Sequence, residues 1–480
     1  MRNLLWFICM TFLGIAAACS DDLDTSVSSQ PKASQDTLDV GLLLAGNSSQ
    51  TYGLKLYNRN SDEIRLTSIV LRNPQTSGFR MNVDGMNGTS FTDPDLLRIA
   101  SGDSLFLFVE ATFASGSGRS HTDYIDVTCN GKTQSIVLTG ECREVEIWRA
   151  KTIGTDFTVT SGSEFQIFDS LVVAEGATLT LEDSVVLYLH DKADIHLYGT
   201  LICEGTPERP VILRGDRTDN MFVNLSYDGL PAQWGNLYVH SSSSGNVWNR
   251  ADIHGMTDGI RIEAGKIDTT LIGDEEQRIT FRHCRISLSD STLIRAVGAQ
   301  CRMEGCLLSN AGGALLDIQG GAWEIDHCTL ANYCYTAWVN VPALCLTNLR
   351  DYPLWRCNVS NTLVWSKHCN PDVSSTASDV QLVYQEFISP DGIQSDSIFN
   401  YRFDHCLLAA NGYDDKDFIS TVWAQDPLYI LLDDDNYTYD FRLQAESPAV
   451  GAATGSPLAT DLDNHPWASK PAIGCYEYVQ

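Results

Sequence analysis

The chain has 480 residues and a mass of 52.9 kDa, which is enough for two or three domains of ordinary size. Its 61 acidic and 32 basic side chains give a net charge of −29, and this negative field excludes a nucleic-acid-binding protein because it repels phosphate backbones. With 43% hydrophobic and 19% charged residues, the composition is that of a globular chain rather than a disordered one.

The N-terminus has the pattern of an export signal. Arg2 is the only charge before an apolar run from Leu4 to Ala18, which is too short to span a bilayer but has the length of a secretory signal. The run ends in Ile-Ala-Ala-Ala-Cys, which resembles the lipobox of bacterial lipoproteins. This resemblance implies a signal peptide of residues 1–18 and acylation at Cys19. A conventional signal peptide cleaved near Ala18 is the alternative.

Residues 19–39 are polar and rich in serine, and we expect them to form a linker. The segment Ser20-Asp21-Asp22 is similar to the acidic surface-export tag of some Gram-negative outer-membrane lipoproteins, although any solvated linker has a similar composition. We therefore expect an outer-membrane lipoprotein that is anchored through its lipid and exposed at the cell surface.

Residues 40–143 contain short apolar or alternating runs separated by turn signals, among them the hairpin dipeptide Asn130-Gly131. About seven strands in about 100 residues predict an immunoglobulin-like β-sandwich. The order of these runs also resembles the Ig-like modules of bacterial surface proteins, which implies a spacer.

The pattern changes after Glu144, where apolar and polar residues alternate and Gly176, Gly199 and Gly205 mark corners. No sustained helical stripe is present. Four segments align on a shared cysteine, and the first three of these cysteines are 22 residues apart. The aligned cysteines are Cys284, Cys306, Cys328 and Cys406. One turn of a three-sheet parallel β-helix needs about 22 residues, so we predict a solenoid of roughly ten coils.

From about Ile153 onward the chain resembles the bacterial right-handed parallel β-helix proteins of the pectin-lyase-like superfamily. The matching segments include EGATLTLED, HLYGTLICEGTPERPVILRG and the closing PAIGCYEY. The predicted fold is all-β: an Ig-like β-sandwich followed by a right-handed parallel β-helix over residues 144–445. Residues 446–480 are expected to form the final coil and a C-terminal cap.

The cysteines are expected to be buried thiols rather than a disulfide framework. Of the 15 cysteines, Cys9 lies in the signal peptide and the thiol of Cys19 would carry the lipid, so 13 remain for pairing, and an odd number cannot be fully paired within the chain. The β-helix prediction instead places the repeating cysteines in a buried ladder.

Three histidines directly precede ladder cysteines: His283, His327 and His405. A column of imidazoles could bind a metal ion or transfer protons. Gly305 occupies the same position in an intervening coil, however, so these residues are also consistent with a structural corner.

The resemblance implies two kinds of candidate catalytic residue. Lyases of the superfamily use clustered carboxylates with Ca²⁺ and a basic side chain, for which Arg282 and Arg285 are the candidates. Hydrolases of the superfamily use pairs of aspartates on neighbouring coils, for which Asp326 and Asp404 are the candidates. Solvated strand faces would explain the same residues.

A cluster of aromatic residues is the best indication of ligand binding. The candidates for stacking on sugar rings are Tyr335, Trp338, Trp355 and Trp365. They surround the segment TAWVNVPALCLTNLRDYPLWRC, which interrupts the coil period as an inserted loop would. The same aromatics could instead pack such a loop onto the solenoid.

Ca²⁺ is the one cofactor that the sequence suggests. Two acidic segments are rich enough in oxygen atoms to hold it, although neither has EF-hand spacing, and solvated loops are the alternative. The candidate ligands are Asp414, Asp415, Asp417, Asp433 and Asp435.

The function expected from the sequence is a monomeric surface lipoprotein whose β-helix binds polysaccharide, with no assigned catalysis. A polysaccharide lyase or glycoside hydrolase acting on the flank of the β-helix is one alternative. An adhesin or structural surface protein is the other.

Overall fold

The structure is a computed structural model that describes residues 23–222, 224–265, 277–368, 376–386 and 398–479. The lipobox, Cys9 and Cys19 lie outside the described residues. The chain divides into two compact units, the first comprising Met1–Glu144 with Thr218–Met221 and the second comprising Val145–Arg217 with Phe222–Gln480.

The first unit is a β-sandwich of two sheets. One sheet contains, in spatial order, Lys32–Ala33, Tyr52–Tyr57, Ser104–Ala111, Phe79–Val83 and Met86–Gly88. The other contains Thr37–Leu44, Lys132–Arg143, Ser120–Cys129, Ile64–Leu71 and Ser90–Phe91, with Arg98–Ile99 paired to Ile64–Leu71. Residues such as Leu105, Leu107 and Val109 alternate inward and form the core between the sheets.

Two features of this sandwich bear on the sequence predictions. Asn130 and Gly131 both have positive φ and join the paired strands Ser120–Cys129 and Lys132–Arg143, as the hairpin signal predicts. The stretch that we expected to be a linker contributes strand Lys32–Ala33 and the start of Thr37–Leu44. The Ig-like identity of the sandwich stays a prediction.

The second unit contains a 26-stranded sheet whose pairings between coils are all parallel. Its strands in chain order are Glu146–Ile153, Phe157–Val159, Glu164–Val173, Thr178–Glu182, Val186–Leu189, Asp194–Leu197, Thr200–Glu204, Val211–Gly215, Leu237–Val239, Asn246–Asn249, Ala251–Met256, Ile260–Ile262, Ile279–Arg282, Arg285–Ser289, Ile294–Glu304, Leu307–Ala311, Leu316–Asp326, Thr329–Ala331, Leu344–Thr347, Leu354–Ser360, Leu363–Val364, Val380–Val383, Arg402–Asp404, Leu407–Leu408, Phe418–Ile419 and Val422–Trp423.

Each coil contributes to three faces, which we call the first, second and third sheet. In one complete coil these are Asp194–Leu197, Thr200–Glu204 and Val211–Gly215, and each pairs with its counterpart in the coils before and after. This is the pairing pattern of a parallel β-helix. The all-β class and the solenoid predicted from the sequence are therefore confirmed.

The second sheet illustrates the stacking of equivalent residues. Ten buried or partly buried side chains follow one another in register along it: Val159, Leu181, Cys203, Trp248, Phe281, Met303, Ile325, Val359, Phe403 and Phe418. The predicted coil number is thus close to the observed one.

The repeated cysteines form a column inside the β-helix, as the alignment predicts. Cys284, Cys306 and Cys328 are fully buried, and the backbone N–H of Cys284 lies 3.3 Å from the Cys306 sulfur. Thr362 continues the column below Cys328, and Cys406 follows it. The twelve cysteines within the described residues form no disulfide, and burial raises the pKa of Cys406 to about 12.

The residue before each column position adopts the left-handed conformation. These corner residues are Arg250, His283, Gly305, His327, Asn361 and His405, with φ between 45° and 62°. The corner is a tight bend between the second and third sheets that recurs in the coils from Asn246–Asn249 to Arg402–Asp404. Only Gly and, less readily, Asn adopt this conformation cheaply.

The C-terminal region differs from the sequence prediction. Within described residues 446–479 there is no strand, so this stretch is not a final coil. Hairpin Tyr429–Asp433 and Thr438–Leu443 and the segment after it instead pack on the outward side of the third sheet, against Leu307, Leu363 and Leu407. The β-helix therefore has a second apolar core outside its coils. The expected inserted loop also contains the regular strand Leu344–Thr347.

The remaining elements are small. Asn220–Phe222 pairs with Leu225–Ser226, and a single 3₁₀ turn follows at Tyr227–Gly229. No helix among the described residues has the length and apolar character needed to cross a membrane.

We predict that Cys306→Leu lowers the free energy of unfolding of the β-helix by about 1–3 kcal/mol, because the column leaves no room for extra methyl groups. The half-buried Cys345 faces outward on the first sheet, so Cys345→Leu should change stability by less than about 0.5 kcal/mol. Urea unfolding followed by tryptophan fluorescence measures the stability of the β-helix separately from that of the sandwich, because residues 23–144 contain no tryptophan. Equal effects of the two changes would contradict the column.

Candidate functional site

The sequence-predicted catalytic residues do not share one cleft. Arg282, Asp326 and Asp404 lie on one outward row of the second sheet, with Glu304 between Arg282 and Asp326 and with Ser360 between the two aspartates. Each step along the row is about 4.8 Å, so Asp326 and Asp404 are roughly 10 Å apart along the axis. Arg285 lies beyond the corner, on the third sheet.

Each of these side chains is engaged by its neighbours. Arg282 donates two hydrogen bonds to Glu304, at 3.0 and 2.9 Å. Asp326 accepts from Ser360 at 2.8 Å and from Asn361 at 2.9 Å, in addition to its contact with His327. These bonds join successive coils, which is a structural role.

The carboxylate of Asp404 is held in the same way. It lies 2.8 Å from the guanidinium of Arg402 and 2.6 Å from Nδ1 of His405. Burial alone would raise the pKa of Asp404, but the bonds from Arg402 and His405 outweigh it and lower the pKa. The aspartate is therefore ionised, and neither of its oxygens is set aside for an acid–base step.

Two of the three corner histidines, His283 and His327, are covered by the C-terminal segment. His283 Nε2 donates to the carbonyl oxygen of Thr460 at 2.9 Å, and the ring of His327 lies 4.4 Å from that of Trp467. The C-terminal segment thus packs along the corner column. The contacts of His283 and His327 with this segment are those of a structural corner. In the described ranges no three His, Cys, Asp or Glu side chains are grouped so that they could hold a metal ion.

The acidic segments close their own loops. Asp415 Oδ1 accepts from the backbone N–H groups of Asp417 and Phe418, and Asp414 Oδ1 accepts from that of Thr421. Asp433 likewise accepts from the N–H groups of Asp435 and Asn436, which close the turn of the C-terminal hairpin.

The four predicted aromatic residues lie at four different places. Trp365 is buried in the core outside the third sheet, whereas Trp338 is 76% exposed and stacks on His368 at 3.9 Å. Trp355 is half-buried at the start of a second-sheet strand. Tyr335 lines a groove on the third sheet.

This groove, which we call the third-sheet groove, has a volume of about 630 Å³. Its floor is the outward face of the third sheet, where Arg285, Ser287 and Ser309 project. The C-terminal hairpin forms one wall. The aromatic side chains that line the groove are Tyr335, Tyr437, Tyr439, Phe441 and Tyr476.

The aromatic wall is ordered by ring contacts. The ring centroid of Tyr335 lies 4.7 Å from that of Tyr437, and the ring of Tyr439 is nearly parallel to that of Tyr335. The hydroxyl of Tyr335 donates to the carbonyl oxygen of Gly229, and that of Tyr439 donates to Asp434 at 2.8 Å. Tyr437 remains 39% exposed.

Charged side chains of both signs meet at the other end of the groove. Asp463 accepts from Arg285 at 2.8 Å and lies 3.8 Å from Arg442. Arg442 also forms a bidentate pair with Asp440. The groove therefore combines aromatic surfaces with fixed donors and acceptors, as sites for polar ring-shaped ligands do.

The 3₁₀ turn that contributes Gly229 is held by a partly buried charge cluster. His254 lies between two carboxylates, 2.8 Å from Asp228 and 2.8 Å from Asp252, and Arg214 lies 2.8 Å from Asp228. Burial by itself would lower the pKa of His254, but the two carboxylates raise it to about 10.

A larger cavity of about 740 Å³ lies in the sandwich, and its lining includes Phe79, Met81 and Phe108. Its only charged lining side chains, Arg80 and Glu110, pair with each other at 3.3 Å. Of these two cavities, the third-sheet groove is the better candidate because it joins several aromatic rings to a charged cluster.

Arg285 and Tyr335 were predicted from the sequence as site residues, and the other residues of the groove were not. Tyr437, Tyr439 and Arg442 belong to a hairpin that follows the last coils, and their approach to residue 285 depends on packing across about 150 residues of sequence. The alternation of polar and apolar residues in Thr438–Leu443 was the sequence signal that could have predicted a strand of that hairpin.

No protein-family model and no curated protein sequence matches the chain. Among solved structures, the chain is similar to pectate lyase Pel9A, with 13% identity and a TM-score of 0.24 over 66% of this chain and 88% of that one. It is also similar to PapD-like domain 7 of human CEP192, with 13% identity and a TM-score of 0.18 over 25% of this chain and 88% of that one.

A family 123 glycoside hydrolase from Clostridium perfringens shares 9% identity with a TM-score of 0.17, covering 23% of each chain. Likenesses at this level identify neither an activity nor a ligand of this chain.

We predict that His254→Gln destabilises the β-helix at pH 6 and much less at pH 10. A raised pKa in the folded state means that the stabilisation is complete below the unfolded value near 6.5 and is lost as the pH rises toward 10. Thermal unfolding at several pH values measures this. The control is His190→Gln, which removes a largely exposed partner of Asp216; the same pH dependence in both variants would contradict the assignment.

Proposed function

We propose that the protein binds polysaccharide in the third-sheet groove. The observation that carries the proposal is the combination in one groove of Tyr335, Tyr437 and Tyr439 with the Arg285–Asp463–Arg442 cluster. Tyrosine rings stack on the apolar faces of sugar rings, and paired charges hydrogen-bond to hydroxyl groups.

The groove also has the right form for an extended ligand. Its floor is a row of stacked strands, so equivalent positions such as Ser287 and Ser309 repeat about every 4.8 Å along the axis. The half-exposed Leu431 and Tyr437 on the hairpin border the same space. A chain of sugar units would run along this floor and contact the hairpin on one side.

We propose that the groove binds polysaccharide without cleaving it, and the outward row of the second sheet supports this. Arg282, Asp326 and Asp404 lie outside the groove and are bonded to their neighbours. The lyase or glycoside hydrolase and the adhesin remain the rival proposals, and each predicts a different outcome in the binding experiment.

We further propose that the chain is a lipoprotein of the outer membrane, anchored at Cys19 and facing outward. The support is the sequence Ile-Ala-Ala-Ala-Cys and the acidic residues after it. The N-terminal sandwich, placed between the anchor and the β-helix in the chain, would act as an Ig-like spacer.

We predict that Tyr437→Ala and Arg442→Ala each weaken binding to a glycan identified on an array by about three- to tenfold, which corresponds to the loss of one stacking or charged contact. Trp338→Ala removes an aromatic ring that is exposed elsewhere and should leave the affinity unchanged. Isothermal titration of the array hit, with and without Ca²⁺, measures the affinity.

The array samples should also be assayed for new reducing ends and for the absorbance of unsaturated products. Loss of binding in Trp338→Ala alone would contradict the groove assignment. Release of new ends that is abolished by Asp326→Ala would support the enzyme alternative instead, and binding to host proteins without any glycan would support the adhesin.

The lipid anchor is tested by expressing the chain in a Gram-negative host fed an alkyne-labelled fatty acid. We expect label on the native chain and none on Cys19→Ala, because the thiol is the acylation point implied by the lipobox. Surface proteolysis of intact cells then reports the orientation. Label that persists in Cys19→Ala would overturn the anchor, and protection of the chain in intact cells would overturn the outward orientation.

A further inference from the structure

The outward face of the first sheet carries a second group of chemically active side chains. His196, Tyr238, Arg261, Arg295 and Asp317 follow one another in register on successive coils. The neighbouring row contains Tyr198, His240 and Glu263, which follow one another on successive coils. Neither row belongs to the third-sheet groove.

Three of these side chains form a continuous hydrogen-bonded chain. Glu263 Oε1 lies 3.1 Å from His240 Nδ1, and His240 Nε2 lies 3.0 Å from His196 Nδ1. The carboxylate can only accept, so His240 donates from Nδ1 and its Nε2 carries the lone pair. His196 then donates from Nδ1, and its own lone pair lies on Nε2. No hydrogen-bond partner of that Nε2 is found within the described ranges.

The contact between the imidazoles has the geometry of a hydrogen bond and not of metal chelation. The ring centroids are 5.3 Å apart, the facing nitrogens are 3.0 Å apart, and the ring planes differ by 14°. The rings therefore meet edge to edge, with the two nitrogens pointing at each other. Two nitrogens on one metal ion would instead have to converge on a point about 2.0 Å from each.

The surroundings fix this chain in place. The ring of Tyr198 stacks on His240 at 4.0 Å, and the ring of Tyr238 stacks on His196 at 4.9 Å. Arg278 donates to the backbone carbonyl of His240 and to that of Ser241 at 3.0 Å. The histidine pair is thus positioned by side chains from several coils, as a preorganised site requires.

We infer that His196 Nε2 is a general base, oriented through His240 by Glu263, that activates water for the hydrolysis of carboxylic ester groups. Glu263 and His240 are positioning residues. The phenol of Tyr238 accepts from Asn236 at 3.0 Å and keeps its own O–H to donate to the ester carbonyl. This activity goes beyond polysaccharide binding and does not depend on the third-sheet groove.

The step is balanced with water as the only co-reactant. His196 Nε2 takes a proton from water while the water oxygen bonds to the acyl carbon, and the carbonyl π pair moves onto its oxygen. Collapse of this intermediate breaks the bond to the alcohol oxygen, which takes the proton from His196. The products are a carboxylic acid and a free hydroxyl. The positive charge that His196 carries in between is stabilised through His240 by Glu263.

Burial favours the neutral form of the His196 ring near pH 7. Burial is the largest influence and lowers the pKa of His196, and His240 lowers it further, against Asp194 and Glu263, which raise it. Arg261 lies two coils away on the same row, with Tyr238 between them. A neutral imidazole is the form that accepts a proton.

The test is hydrolysis of 4-nitrophenyl acetate by the purified full chain, followed by release of nitrophenolate. We expect His196→Gln to lower the rate at least tenfold. We expect His240→Gln and Glu263→Gln each to lower the rate about two- to tenfold. The rate of the native chain should rise with pH through a single pKa below 6.5. His190→Gln is the matched control, since it removes another histidine paired with a carboxylate, and should leave the rate unchanged.

A spectroscopic measurement separates loss of chemistry from loss of folding. In ¹⁵N-histidine-labelled protein at pH 8, the proton of His196 should reside on Nδ1, and Glu263→Gln should alter the signals of His240 and His196. An unchanged rate in His196→Gln, or a proton on Nε2 of His196 in the native chain, would overturn the inference. Circular dichroism confirms that each variant is folded.

Discussion

Backbone hydrogen bonds between successive coils hold each residue of the β-helix directly above its counterpart one coil earlier, about 4.8 Å away. This register decides which side chains meet. Inside the coils it stacks aliphatic, aromatic and thiol groups in continuous columns, such as Cys284, Cys306 and Cys328. Outside the coils it builds rows whose members come from distant parts of the sequence. A change at one position is therefore felt first by the same position in the adjacent coils.

The corners show how this constraint restricts residue choice. From strand Asn246–Asn249 to strand Arg402–Asp404, each coil turns from the second to the third sheet through one left-handed residue, and His283, His327 and His405 occupy that place along with Gly305 and Asn361. A non-glycine residue in this conformation is strained, and such a residue persists where its side chain makes contacts that offset the strain. His283 bonds to the C-terminal segment, and His327 and His405 bond to the preceding aspartates. A column of imidazoles in the sequence is thus part of the scaffold.

Sequence periodicity predicted the coils because the register makes equivalent residues recur every 22 positions where no loop intervenes. It did not predict that the C-terminal hairpin packs on the third sheet, because that contact joins residues such as Leu307 and Phe441, which are far apart in the chain. A signal was present in consecutive apolar residues, as at Leu407 and Leu408, which indicate a strand buried on both faces. His196 and His240 were missed because a long loop separates two stacked coils and hides the repeat.

The two proposed sites occupy different faces of one solenoid, a binding groove on the third sheet and a proton-accepting histidine on the first. Hydrogen–deuterium exchange with and without a saturating bound glycan tests the central assignment most directly. The account predicts protection in hairpin 429–443 and in third-sheet strands 285–289 and 307–311. Protection confined to the first or second sheet, or no protected segment at all, would contradict it.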